Sequence, residues 1–177
     1  MIMRYLQFIK ESKANHKLGC VMISLKFDNW NEILNTIDKE DIYYKSDEVF
    51  GLSDNPHITL LYGLHEDVSL EDVKECFNDV SANDISLAVN GVSIFENKEF
   101  DVVKLSIEEN PLIIELNKRL CNLPNSNEFP EYKPHITIAY VKKGLGKKYV
   151  NTEYSSTISD IHHIVYFNNH KEYKFDI

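Results

Sequence analysis

The 177-residue sequence predicts an α+β fold in which two similar sheet lobes face one cleft. Three observations lead there. Segments of strand character alternate with short amphipathic helices in the order β-α-β-α, then β-β-α-β, then β-β. Residues 55–63, NPHITLLYG, return nearly unchanged at 133–141 as KPHITIAYV. No linker or low-complexity stretch divides the halves, so residues 1–177 read as one domain with two lobes.

The elements follow in order. LGCVMISLKFD, Leu18 to Asp28, is partly alternating and rich in β-branched and aromatic residues, as a strand requires. Asp28 or Asn29 is placed to cap a helix running to about Ile37, with Trp30, Ile33, Leu34 and Ile37 on one face. Pro56 biases Asn55 towards extended backbone and opens a strand from His57 to Tyr62. Ser69 caps a helix expected to reach about Val80. Strands are expected over Ile85–Phe95 and Phe100–Glu108, joined by a turn at ENKE. Asn110-Pro111 pairs a cap with proline in the first helical turn. That helix runs to about Asn122 with Leu112, Ile113, Leu116 and Leu120 as its buried stripe. The second repeat gives a strand from His135 to Val141, and Ile158–Phe167 with Glu172–Ile177 close as a hairpin around NNHK.

Composition narrows the function. With 43% apolar residues, including nine Phe and ten Tyr, the chain can build a core. No apolar run matches a signal peptide or a membrane span. Three scattered cysteines form no metal or redox motif, so a soluble protein of the cytoplasm is expected. A net charge of −9 speaks against a binder of long DNA or RNA, which needs a basic footprint.

The repeat carries the chemistry. Strict alternation along a strand puts His57, Thr59 and Leu61 on one face, and Ile58, Leu60 and Tyr62 on the other. The second copy likewise sets His135, Thr137 and Ala139 against Ile136, Ile138 and Tyr140. Two such strands across a cleft present two imidazoles and two hydroxyls. Histidine titrates near neutrality, so one neutral and one charged copy can act as base and acid on a phosphodiester. The threonine hydroxyls suit non-bridging phosphate oxygens. This scheme calls for no cofactor and no metal. A single His-x-Thr would be an ordinary strand histidine; a plain duplication would repeat apolar positions, whereas here the polar ones are kept too.

Pro56-His57-Ile58-Thr59 and Pro134-His135-Ile136-Thr137 resemble the paired His-x-Thr motifs of the two-histidine phosphoesterase superfamily. That superfamily includes LigT-like RNA ligase/cyclic phosphodiesterases and viral 2′-5′ phosphodiesterases. The resemblance covers roughly Leu18 to Phe167. It implies a bilobal fold of two antiparallel-sheet lobes with pseudo-two-fold symmetry, helices outside, and a metal-independent site made by His57, Thr59, His135 and Thr137. The opening YLQFIKESKANHKLGCVMISL and the lysine-rich loop after the second motif are also similar to phage anti-CBASS phosphodiesterases. That likeness implies cleavage of 3′-5′ bonds in cyclic di- or trinucleotide immune messengers. Two other readings stand beside it: a 2′,3′-cyclic or 2′-5′ phosphodiesterase of RNA ends, and a binding protein that sequesters a nucleotide without cutting it.

Further residues are candidates for substrate contact. The loop KKGLGKKYV, Lys142 to Val150, reads as a lid, with Lys142 and Lys147 meeting phosphates and Tyr149 stacking on a base. Tyr5 is a second stacking candidate. His162 and His163 are expected on opposite faces of a strand and so make a poor chelating pair. These motifs do not specify which imidazole is base, which bases or ring size are preferred, or the oligomeric state.

Overall fold

The computed structural model describes residues 18–45, 50–127, 129, 131–154 and 158–177. The expected α+β fold is present. Among the described residues the strands are β1 (Gly19–Phe27), β2 (His57–Leu64), β3 (Val89–Glu96), β4 (Phe100–Ile107), β5 (His135–Lys142), β6 (Ile158–Asn168) and β7 (Lys171–Phe175). The helices are α1 (Trp30–Asn35), α2 (Leu70–Glu75) and α3 (Pro111–Cys121). One sheet has the order β2-β1-β6-β7 and the other β3-β4-β5, antiparallel throughout. No helix among the described residues is long and apolar enough to cross a membrane.

Helix ends follow local chemistry. Ser69 and Asp72 form a reciprocal capping box, and Asn110 accepts the amides of Leu112 and Ile113 behind Pro111. Asn29 occupies the cap position of α1, but its side chain makes no capping bond. α2 stops at Glu75, short of the expected Val80. Arg119 of α3 explains the stop: its guanidinium takes the Cys76 carbonyl at 3.2 Å and pairs with Asp79, which satisfies a terminal carbonyl from outside. β3 begins only at Val89, because Ser81 caps a 3₁₀ turn at 82–84.

The two lobes are interlocked by exchanged edges. The segment leading into β2 lies along β5: Tyr43 N–H donates to Tyr140 O (2.9 Å), Tyr140 N–H to Gly51 O (2.9 Å) and Ser53 N–H to Ile138 O (2.8 Å). The segment leading into β5 lies along β2: His65 N–H donates to Pro124 O (2.9 Å) and Ser126 N–H to Gly63 O (2.9 Å). Gly63 has φ +113°, and a Cβ there would sit 3.2 Å from the Asn127 nitrogen, so this close crossing requires glycine. Each inner strand therefore has its exposed edge covered by chain that belongs to the other motif.

Both repeat strands carry a bulge at the same place. Thr59 and Tyr62 stand opposite Met22 and Cys20, three residues against two; Thr137 and Tyr140 stand opposite Lys104 and Val102 in the same way. Strict alternation fails there. Leu61 and Ala139 turn into the core, where they are 2% and 0% exposed, instead of sharing a face with the histidines. Tyr62 joins Cys20, Met22, Val165 and Phe167 in a satellite cluster apart from the main core. Sheet register puts Tyr140 on the side of Thr137. A third bulge, with Ser24 and Leu25 opposite His163 and Ile161, leaves His162 as the extra residue. Its ring lies 4.4 Å from that of His163, so these two imidazoles do not point to opposite faces as expected.

Bulges free backbone carbonyls, and these are satisfied across the lobes. Buried Asn117 of α3 donates from Nδ2 to Leu60 O at 2.7 Å. In the second lobe Ser53 N–H serves Ile138 O. Replacing Asn117 by Leu keeps the volume and strands the Leu60 carbonyl. Urea unfolding should show Asn117→Leu destabilised by about 1–3 kcal/mol, with an unchanged m-value.

Candidate active site

Each repeat strand starts with its histidine, and the chain just before it sets the imidazole. Asn55 O lies 2.9 Å from His57 Nδ1, and Lys133 O lies 2.8 Å from His135 Nδ1. A carbonyl only accepts, so Nδ1 carries the proton in both rings. In the neutral state the lone pair is then on Nε2. The intervening prolines hold this geometry. Pro56 O accepts Leu25 N–H (3.0 Å) and Pro134 O accepts Ile107 N–H (3.3 Å), so each proline joins its neighbouring strand in the same way.

The match extends to the flanking strands. His57 is paired with Ser24 on β1, and His135 with Ser106 on β4. These serines lie in VMISL (21–25) and VKLSI (103–107), a second internal repeat of the form Val-x-aliphatic-Ser-aliphatic. The two threonines, two residues beyond the histidines, are half-buried like them. The motif strands β2 and β5 touch where the two sheets meet. Tyr132, just before His135, donates its hydroxyl to Thr59 O at 3.1 Å, which ties the second motif to the first.

Burial holds both imidazoles below the ordinary histidine value of 6.5. For His57, desolvation outweighs the opposing bond from its Nδ1 to Asn55 O. For His135, desolvation again dominates against the Lys133 carbonyl, and the charges of Lys104 and His57 push further down. That His57 acts on His135 places the two rings in one electrostatic environment.

Several site residues lie outside the repeated nonapeptides. Lys104 pairs across the ladder with Thr137 and is 6% exposed. Its ammonium donates to Ser93 Oγ at 2.6 Å and sits 4.2 Å from the Phe95 ring centre. Ser93 Oγ is 2.6 Å from Ser106 Oγ, and Phe95 meets His135 edge-on at 5.0 Å. The short repeat VMISL/VKLSI is the sequence signal for Ser24 and Ser106; it also marks Lys104 as the one polar difference, standing where the first copy has Met22.

The lysine loop is not at this site. It follows the C-terminal end of β5, while His135 opens the strand, and eight extended residues separate the two by about 23 Å. Lys142 donates to Glu40 O (2.6 Å), and Lys147 pairs with Glu96 (3.1 Å). Asp101, fully buried, accepts the amides of Gly144 and Gly146 and pairs with Lys143. Tyr149 is 5% exposed; its hydroxyl donates to Asp41 (2.6 Å) and accepts the Asp38 amide (3.1 Å). A residue so enclosed cannot stack on a base, and the expected lid is instead a pinned structural loop. Tyr5 lies outside the described residues.

Comparison with known proteins agrees with this architecture. Residues 34–165 match the family model of the 2′-5′ RNA ligase superfamily. Usb1 of Kluyveromyces marxianus superposes with a TM-score of 0.53 at 9% identity, covering 90% of this chain and 98% of that one. The same protein with uridine monophosphate gives a TM-score of 0.52 at 10% identity over the same shares. Escherichia coli LigT complexed with 3′-AMP gives 0.48 at 14% identity, covering 90% of this chain and 93% of that one. No curated protein matches the chain in sequence. With the family model spanning most of the chain and the two-lobed fold bringing its paired His-x-Thr strands together, the protein belongs to the 2′-5′ RNA ligase superfamily of two-histidine phosphoesterases.

Proposed function

We propose that the protein is a phosphodiesterase that opens cyclic di- or trinucleotides at 3′-5′ bonds, the messenger class cut by phage anti-CBASS enzymes, and that it acts in the cytoplasm. The observation that carries the reaction type is the matched pair of imidazoles, each with Nδ1 held by the carbonyl two residues earlier. One neutral Nε2 takes the proton of a ribose 2′-hydroxyl. The oxygen attacks phosphorus, the P–O5′ bond breaks, and the other imidazole, protonated, gives its Nε2 proton to the departing O5′. Thr59 and Thr137 hold the non-bridging oxygens. The intermediate ends in a 2′,3′-cyclic phosphate. With roles exchanged, water attacks it and the P–O2′ bond breaks, leaving a linear 3′-phosphate.

Charge favours a small substrate over long RNA. The net charge is −9, and the loop lysines 143, 147 and 148 are paired with Asp101, Glu96, and Asp38 with Asp41. Such pairs leave little unpaired basic surface on this loop to follow a polynucleotide. In the same fold Usb1 holds a mononucleotide, uridine monophosphate, in keeping with a small ligand. The family match favours one second reading, hydrolysis at RNA ends of a 2′,3′-cyclic or 2′-5′ linkage.

A panel of cyclic di- and trinucleotides, 2′-5′ oligoadenylate and a 2′,3′-cyclic phosphate, incubated in EDTA and resolved by mass, separates these readings. Cyclic 3′-5′ substrates should give linear 3′-phosphates, and analogues lacking the attacking 2′-hydroxyl should stay intact. Preferential cleavage of the 2′-5′ oligomer or the 2′,3′-cyclic phosphate would move the assignment to RNA ends. Intact ligand recovered with the protein would mark a sequestering role. His57→Ala and His135→Ala should each lower kcat/KM by roughly a thousandfold; a fully active His57→Ala would refute the mechanism.

The pH profile has a defined direction. The base must be neutral, so the ascending limb follows its pKa; the acid must be charged, so the descending limb follows the other. Both histidines lie below 6.5 in the free protein. A bell-shaped kcat/KM with its maximum below pH 6.5 is therefore expected. Bound phosphate favours the charged imidazoles, so the kcat profile should move upward.

A further inference from the structure

Lys104 poses a problem of charge. Its residue is 6% exposed, yet among the described residues its ammonium has only neutral partners, the Ser93 hydroxyl at 2.6 Å and the Phe95 ring at 4.2 Å. Among the described residues no carboxylate pairs with it; burial, and then the neighbouring positive charge of Lys133, work against its ammonium, and Lys104 in turn acts on His135 beside it. A buried ammonium without an anion is costly, and buried charges in proteins are ordinarily paired. Elsewhere in this chain that rule is kept: buried Asp101 has Lys143 and two amides, and buried Asp41 has Lys148 and Tyr149.

The position of Lys104 says where its anion comes from. It is the cross-strand partner of Thr137, two residues along β4 from Ser106, the partner of His135. Ser93 Oγ accepts from Lys104, so its single proton is available to Ser106 Oγ, 2.6 Å away. The Phe95 ring lies against both Lys104 and His135. The corresponding place in the first lobe holds Met22, so only one side of the cleft carries this charge.

We infer that Lys104, backed by the Ser93–Ser106 hydroxyl pair, binds a phosphate oxygen of the ligand on the Thr137 side of the cleft. This rests on the phosphoesterase reading of the site but not on which nucleotide is cut. The substrate supplies the anion that the described residues lack. The ammonium then acts as a fixed positive group where negative charge grows on a non-bridging oxygen.

The experiment measures binding apart from turnover. Wild type, Lys104→Met and the surface control Lys98→Met are titrated with inorganic phosphate, 3′-AMP and, as a neutral probe, adenosine. Calorimetry gives affinities, and the ¹³Cε resonance of Lys104 reports contact directly. Phosphate and 3′-AMP should move that resonance in wild type. Lys104→Met should bind both anions roughly tenfold more weakly or worse, bind adenosine as before, and melt no lower than wild type without ligand, since it loses an unpaired buried charge. Lys98→Met should match wild type. Anion affinities of Lys104→Met within about twofold of wild type, or a Lys104 resonance unmoved at saturating phosphate, would overturn the inference. Should Lys104→Met fail to fold, Lys104→Gln, which keeps a donor for Ser93, carries the same comparison. Loss of phosphate affinity in a protein that cuts no nucleotide would sink the enzymatic reading and leave this one standing. Normal affinity in an active Lys104→Met would do the reverse.

Discussion

The exchanged edges between the lobes are the constraint on which the cleft depends. A motif strand at the end of its sheet would leave a row of amides and carbonyls open to water. Here the approach to β2 covers β5, and the approach to β5 covers β2. The same approach segments supply Asn55 O and Lys133 O, which fix the imidazoles. Positioning of a motif imidazole and closure of the opposite lobe are thus one structural event. Displacing one lobe from the other would break the edge bonds and move the carbonyls that hold both tautomers. The Tyr132 bond to Thr59 O and the Asn117 bond to Leu60 O reinforce this coupling at the first motif.

The electrostatics follow from the same packing. Each ring is buried enough to resist protonation, while its carbonyl partner works the other way. The charge of His57 also acts on His135, so charging one ring makes the other harder to charge. That mutual effect favours a singly protonated pair over a doubly protonated one. One neutral and one charged ring is the state that acid–base cleavage of a phosphodiester requires.

Much of this was legible in the chain. PHIT written twice identified the motif strands, the helix caps at Ser69 and Asn110 lie where their residue types place them, and the α+β order held. The bulges were not legible. Alternation treats a strand as regular, and an extra residue is a property of pairing with β1 or β4, so Tyr62 and Tyr140 were put on the wrong face. The lysine loop misled for a related reason. Nearness in sequence to His135 suggested nearness in space, but an extended strand carries its two ends far apart. Tyr149 and the lysines have local partners, Asp38, Asp41, Asp101 and Glu96, whose positions only the fold reveals.

Repetition accounts for what the lobes share, and the departures from it account for how they differ. Two identical half-sites would offer a phosphate the same surroundings from either side. Aligning β1 with β4 shows Val, aliphatic and Ser positions kept, with Met22 exchanged for Lys104. Met22 lies in the apolar satellite cluster with Cys20, Val165 and Phe167, and Lys104 lies among hydroxyls beside His135. One wall of the cleft is therefore apolar and the other positively charged. A nucleotide is itself divided in this way, into a base with apolar faces and an anionic phosphate. With phosphate on Lys104, as proposed, the asymmetry would impose an orientation that the twofold pair of histidines cannot impose alone.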